Sequence, residues 1–303
     1  MEFVIILAIP FLLALLLPFL CRYIGARRQS WLLFAVMSGL FVALLSRLPR
    51  VVALTAISLS VPWVPEIGLA FSLYIDGLSL LFAVLITGIG ALVLLYAGYY
   101  FDEARQVGRF HAFLLVFIGS MLLLVMAGNL IVLFIAWELT SVTSFLLISF
   151  KSSDAQARAG ASQALIVTVG GGLALLLGLL MMGDAAGTMS LGEILSSGDL
   201  LRSHPWYSAF TILIMIGCFA KSAQFPLHFW LPGAMAAPTP ASAFLHSATM
   251  VKAGIYLLAR LYPVLGDTPL WTYSLTVVGL ATMLIAAILA LRQRDLKGIL
   301  AYT

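Results

Sequence analysis

The sequence predicts an all-α polytopic membrane protein with about nine to ten transmembrane helices. Composition is the first observation: 63% of the 303 residues are hydrophobic and 9% are charged, whereas soluble domains carry about 25% charged residues. Run length is the second. At least seven apolar stretches reach the ~17–25 residues that a helix needs to cross a bilayer. The third is that these stretches do not alternate. Lipid offers the backbone no hydrogen-bond partner, so spans are helices or closed barrels, and barrel strands alternate apolar with polar residues.

The runs lie at 2–20, 31–48, 77–98, 110–127, 130–150, 160–182, 206–224 continuing brokenly through 227–237, 240–262 and 270–291. The first begins with acidic Glu2 and is followed by Arg22, Arg27 and Arg28, the reverse of a cleaved leader, so it is expected to be a retained helix. Residues 51–76 place Val, Ile and Thr around Pro62, Pro65 and Gly68, which suits a short hairpin. Residues 184–204 interleave Leu191, Ile194 and Leu200 with Glu193, Asp199 and Arg202, leaving room for a surface helix. As one straight helix, 206–237 would extend about 48 Å against a hydrocarbon core of about 30 Å. Pro226 removes a backbone donor in its middle, so a discontinuous helix is expected. Gly170, Gly171 and Gly172 fall within a span, where small residues let helices approach closely. Cys21 and Cys218 stand far apart in apolar surroundings, as packing residues rather than a disulfide or metal site. The sequence has no Cys/His cluster, phosphate-binding glycine loop or nucleophile elbow, and no metal site is assigned.

Charge gives the orientation. With the N-terminus outside, ten of the 16 Lys and Arg residues fall inside and four (Arg47, Arg50, Arg202 and Arg260) outside, with Lys221 and Lys252 within spans. This obeys the positive-inside rule. The net charge of +4 therefore reports topology, and nothing in it points to nucleic acid.

Glu138, Lys221 and Lys252 lie deep inside apolar runs. A charge at bilayer depth costs roughly 2.5–3.5 kcal/mol on insertion scales and usually faces a bundle interior or a polar path. Glu138 is either a structural partner for a neighbouring helix or half of an ion pair that controls proton movement. Lys221 precedes the break at Pro226, beside freed carbonyls, where broken helices line sites; snorkelling toward an interface is the plain alternative. Lys252 is mid-span. His246, six residues earlier, lies about 120° away around an ideal helix; it is either a hydrogen-bonded core residue or a relay that titrates near neutrality. Desolvation disfavours an ammonium and a nearby carboxylate favours it, so approach and withdrawal of an acid can switch a lysine between holding and releasing a proton. Weaker candidates are Asp76, most simply an N-cap, His228 just past the break, and Arg158, with Lys151 and Asp154, in an inner loop.

The motifs Asp76-Gly-Leu-Ser-Leu-Leu-Phe and Trp137-Glu-Leu, and above all the run from Lys221-Ser-Ala-Gln-Phe-Pro to Met250-Val-Lys252-Ala-Gly, resemble the antiporter-like subunits of respiratory complex I and of Mrp cation/proton antiporters. The last variant is most similar to the large A-type member of the Mrp complex. The resemblance covers essentially the whole chain. It implies an antiporter-like fold with one half of an inverted repeat and a broken seventh helix, in which Glu138, Lys221, His246 and Lys252 match the proton-path positions. It implies a secondary transporter component, not an enzyme, that exchanges cytoplasmic Na⁺ for H⁺ in a bacterial plasma membrane, with other membrane subunits as partners and no cofactor. A complex I-type or membrane-hydrogenase proton pump and a structural scaffold are the rival expectations. Residues 1–109 are expected to form an N-terminal membrane segment of three helices and the hairpin. Residues 110–303 are expected to form the translocating core, with the first half-repeat complete to about 262. The chain ends as a further helix begins, and it is expected to be a fragment.

Overall fold

Mean hydropathy of +1.12 resolves into long helices throughout. The computed structural model describes residues 2–20, 23–54, 56–64 and 69–303; Cys21, Arg22, Pro65 and Gly68 lie outside the described residues. In chain order the first elements are helices α1 (Glu2–Leu20), α2 (Ala26–Leu45) and α3 (Leu48–Leu54), strands β1 (Ile57–Val64) and β2 (Leu69–Ile75), and helices α4 (Gly77–Tyr100), α5 (Ala104–Met126), α6 (Leu130–Ile148) and α7 (Ala155–Ala186). Two short helices, α8 (Leu191–Leu195) and α9 (Gly198–Arg202), occupy the predicted surface segment. Then come α10 (Tyr207–Lys221), α11 (Trp230–Ala234), α12 (Thr239–Ser242), a π-helical turn (Ala243–Thr249), α13 (Met250–Leu265), α14 (Pro269–Ala290) and α15 (Leu296–Ala301). Eight helical stretches among the described residues are long and apolar enough to cross a membrane, and Tyr207–Lys221 is a shorter apolar helix.

Local chemistry sets the boundaries. Asp76 caps α4 by accepting from the Ser79 N–H, and Asn129 caps α6 by accepting from Ile131. Asp154 starts α7 five residues before the apolar run does, and Gly187, at φ +71°, ends it; left-handed backbone favours glycine there. The hairpin pairs Ile57 with Ile75 and breaks register between Pro62 and Val64, as a proline without an N–H requires. The Gly128 N–H donates to the Ser72 carbonyl and the Leu191 N–H to the Gly128 carbonyl, so hairpin, α6 and α8 are tied together at one end of the bundle.

In lipid, helix association depends on close van der Waals packing more than on water exclusion. Helix α5 is the buried centre, packed against α1, α4 and α6. Glycines bring α7 and α10 backbone to backbone: a Cβ on Gly171 would stand 2.3 Å from the Ala220 Cβ, and one on Gly217 2.6 Å from the Leu175 Cβ. Of the predicted glycine triplet, Gly171 and Gly172 are packing positions, while Gly170 faces open space.

Arg260, counted on the outer side by the charge pattern, is buried. It lies within α13, 3% exposed. Its Nη1 and Nη2 donate to the two Asp76 carboxylate oxygens at 2.5 and 2.8 Å, Nη2 also donates to Ser79 Oγ at 2.7 Å, and Nε donates to the Tyr256 hydroxyl, which donates to the Val125 carbonyl. Burial pushes the Asp76 carboxyl up, but the Arg260 and Ser79 hydrogen bonds outweigh it and hold the group below its ordinary value. His111 is a second buried polar group: the Leu94 carbonyl accepts from Nε2, so Nδ1 accepts from the Gln29 amide.

Removing one partner of a buried ion pair strands the other charge. Arg260→Met is expected to destabilise the detergent-solubilised protein by about 3 kcal/mol, and adding Asp76→Asn should recover part of the loss. Denaturation curves of the two variants provide the measurement.

Candidate functional site

Two further polar clusters flank the break after α10. The first joins α6, α7 and α10. Lys221 is the last residue of α10 and is fully buried. A helix C-terminus carries partial negative charge, which favours a cation there. Its Nζ reaches across to α6, donating to the Trp137 carbonyl at 2.9 Å and to Ser141 Oγ at 2.7 Å, and it stands 5.0 Å from the centre of the Trp137 ring. The freed carbonyls of its own helix end are met differently: Trp230 Nε1, beyond the break, donates to the Ala220 carbonyl.

Glu138 lies on the same face of α6. Its carboxyl is close enough to Lys221 for each to feel the other's charge, yet the pair is not among the ion pairs within 4.0 Å that the described residues form. The carboxyl is instead lodged over Gly172 of α7, where an added Cβ would lie 1.9 Å from Oε1. Oε1 is buried and has no hydrogen-bond partner among the described residues. Acid and lysine are neighbours held apart.

The second cluster lines a cavity of about 370 Å³ bounded by the break, the π turn, α13, α14 and the segment after α15 begins. His228, His246, Lys252 and Ser222 all face it. His246 is 7% exposed and its ring packs 6.1 Å from that of Trp230. The Ala234 backbone stands beside the ring, outside hydrogen-bonding geometry. Both His246 ring nitrogens, His228 Nδ1 and Ser222 Oγ are buried without a hydrogen-bond partner among the described residues. Lys252 is exposed toward this cavity. The ideal-helix angle between His246 and Lys252 does not apply, because the π turn resets the phase between them. Ser222, next to Lys221, puts the first cluster beside the cavity wall.

The structure thus pairs Glu138 with Lys221, and gathers His246, Lys252 and His228. It does not bring Asp76 or Arg158 to either cluster. Asp76 caps α4 and holds Arg260, and Arg158 donates from Nη1 to the Ser152 carbonyl in its loop. Sequence reasoning passed over Ser141 and singled out the glycines only for packing. Their roles appear once Lys221 and Glu138 are placed.

Residues 127–303 match the family model described as NADH:quinone oxidoreductase/Mrp antiporter, transmembrane, and residues 63–111 match that of the N-terminus of chain 5 of NADH-ubiquinone oxidoreductase (complex I). Over 274 residues the chain is 49% identical to the probable A/B subunit of a K(+)/H(+) antiporter of Rhizobium meliloti, covering 90% of this chain and 27% of that protein. Over 295 residues it is 45% identical to the A-type subunit of a Na(+)/H(+) antiporter of Alkalihalophilus pseudofirmus, covering 97% and 37%. It superposes on a chain of the Mrp complex from a Dietzia species with a TM-score of 0.92 at 38% identity, covering 100% of this chain and 32% of that one. A chain of the archaeal membrane-bound sulfane sulfur reductase shares the fold alone, with a TM-score of 0.81 at 22% identity over 99% of this chain and 62% of that one. The chain spans about a third of the length of the curated relatives it matches.

The slot over Gly172 gives a test of the first cluster. Gly172→Ala drives a Cβ into the Glu138 carboxyl, an overpacking expected to cost about 1–3 kcal/mol and to shift the infrared carboxyl absorption of Glu138. Gly170→Ala, which meets nothing within 4 Å, should change neither stability nor spectrum.

Proposed function

The chain belongs to the NADH:quinone oxidoreductase/Mrp antiporter transmembrane family, and on that premise we propose that it is a proton-translocating part of a multisubunit Na⁺/H⁺ antiporter, of the Mrp A type. It works as a secondary transporter in a bacterial plasma membrane, N-terminus outside, among other membrane subunits. Residues 1–109 brace the core, and residues 110–303 carry the proton path. Protons pass between the Glu138–Lys221 pair and the cavity of His246 and Lys252, with His228 on its wall.

The observation that carries this reading is Lys221, fully buried and within electrostatic reach of Glu138, yet hydrogen-bonded to Trp137 and Ser141 instead. A purely structural charge pair gains nothing from being held apart, since the Coulomb attraction grows as the distance falls. A pair that exchanges a proton must leave its members free to change charge. The unpaired polar atoms around the cavity support the same reading. The residues that carry four of them, His246, His228 and Ser222, line a space of about 370 Å³, large enough for several water molecules, and water there would carry protons between groups that do not touch. Asp76 and Arg158 take structural roles in this scheme.

A second reading concerns the cation. The relative named for K⁺ is 49% identical and the one named for Na⁺ is 45% identical over similar lengths, so K⁺ is the alternative partner for the same proton path. The family's complex I branch is the other alternative, with the same proton chemistry driven by redox subunits instead of a cation gradient.

The test uses the full-length protein in its intact complex in inside-out vesicles, with assembly verified. Lys221→Ala and Glu138→Gln should each reduce cation-driven proton release to background, and His246→Ala should lower it. Wild-type rates in NaCl and KCl identify the cation. Wild-type exchange by Lys221→Ala overturns the proposal.

A further inference from the structure

We infer that Ser141 is a positioning residue that holds the Lys221 side chain off Glu138, in a dock that accepts the lysine in both of its charge states. The inference rests on the proton-transfer reading above.

Ser141 follows Glu138 by three positions on α6, so the two side chains leave one face about 4.5 Å apart along the axis. Lys221 meets this face from the end of α10 and takes the neutral acceptors, the Ser141 hydroxyl at 2.7 Å and the Trp137 carbonyl at 2.9 Å, rather than the carboxylate. The Ser141 hydroxyl is fully buried, so no bulk water competes for it. It lies 3.4 Å from the Trp137 carbonyl, to which it donates, leaving its lone pairs toward Nζ. The opposite member of the pair is drawn away into the slot over Gly172.

The chemistry of the dock differs from that of an acid. A carboxylate only accepts and so favours the charged lysine alone. A hydroxyl rotates: it accepts from an ammonium and can donate to a neutral amine. Lys221 on Ser141 can therefore lose its proton without losing its hydrogen bond, whereas on Glu138 it is locked in the charged form. The titratable groups on the surrounding elements are Glu138 on α6, Tyr207 and Cys218 on α10 itself, His246 on the π turn, Lys252, Tyr256, Arg260 and Tyr262 on α13, and Arg158 and Asp184 toward the two ends of α7. Of these, Glu138 is the one in electrostatic reach of Lys221.

The experiment measures the pH profile of cation-driven proton exchange for the full-length protein in its complex, comparing wild type with Ser141→Ala, Ser141→Thr and Ser141→Cys. Without the dock, Lys221 falls back on Glu138 and keeps its proton to higher pH. Ser141→Ala should therefore displace the half-maximal pH toward alkaline by about one unit, and Ser141→Thr should restore it. Should the alanine variant not assemble, Ser141→Cys, of similar size but a weak acceptor, should show the same displacement. A profile superimposable on wild type, or a lower rate with an unmoved midpoint, assigns Ser141 to packing and overturns the inference. Lys221→Ala runs in parallel: wild-type exchange there sinks the proton-transfer reading itself, whereas loss there with an unmoved Ser141→Ala midpoint sinks only the dock.

Discussion

An ammonium buried among membrane helices has to find its hydrogen bonds in protein, and the architecture around Lys221 follows from that requirement. Hydrocarbon offers none, and the penalty for an unsatisfied charge there is several kcal/mol. So α10 ends at the lysine, lending it the negative end of a helix. Glycines at Gly171 and Gly217 bring α7 and α10 into near backbone contact, and α6 lies within a side chain's reach on the other side. The carbonyl of Trp137 is shared among the lysine, Thr140 and Ser141. The break after Lys221 is then a means of bringing polar backbone to depth, with Trp230 satisfying one carbonyl that the interruption frees.

Much of this was legible beforehand. The apolar runs, the interrupted helix and the hairpin follow from hydropathy, from Pro226 and from the turn residues, because each is a local signal. Glu138 and Lys221 were legible because charge in hydrocarbon is rare enough to stand out. What was not legible is whatever depends on distant partners. Arg260 sits where the helix nears its end, and nothing nearby announces that its carboxylate lies 184 positions earlier. Ser141 resembles any small residue in an apolar helix until a lysine from another helix arrives at 2.7 Å. Gly172 reads as packing, and is packing, but what it makes room for is a carboxyl. The π turn has no sequence signature at all, and it alters which side of α13 each later residue faces.

The Arg260 network and the cavity cluster differ in how completely they are satisfied. Around Arg260 every donor named above has an acceptor, and the network joins α4, α5 and α13. Around the cavity, polar atoms of His246, His228 and Ser222 are left without protein partners among the described residues. Fully paired networks rigidify, and partly paired ones leave groups free to exchange partners. The division of labour inside the bundle is therefore written in its hydrogen bonding.

It also has a mechanical side. The helix that runs from the cavity to the ion pair is clamped near one end by Arg260 and begins at the other with a wide, loosely wound turn that contains His246. For such a rod the guanidinium is the natural pivot. The imidazole lies 14 residues from that pivot, roughly 21 Å along the axis, so a tilt of about 3° swings it by ~1 Å.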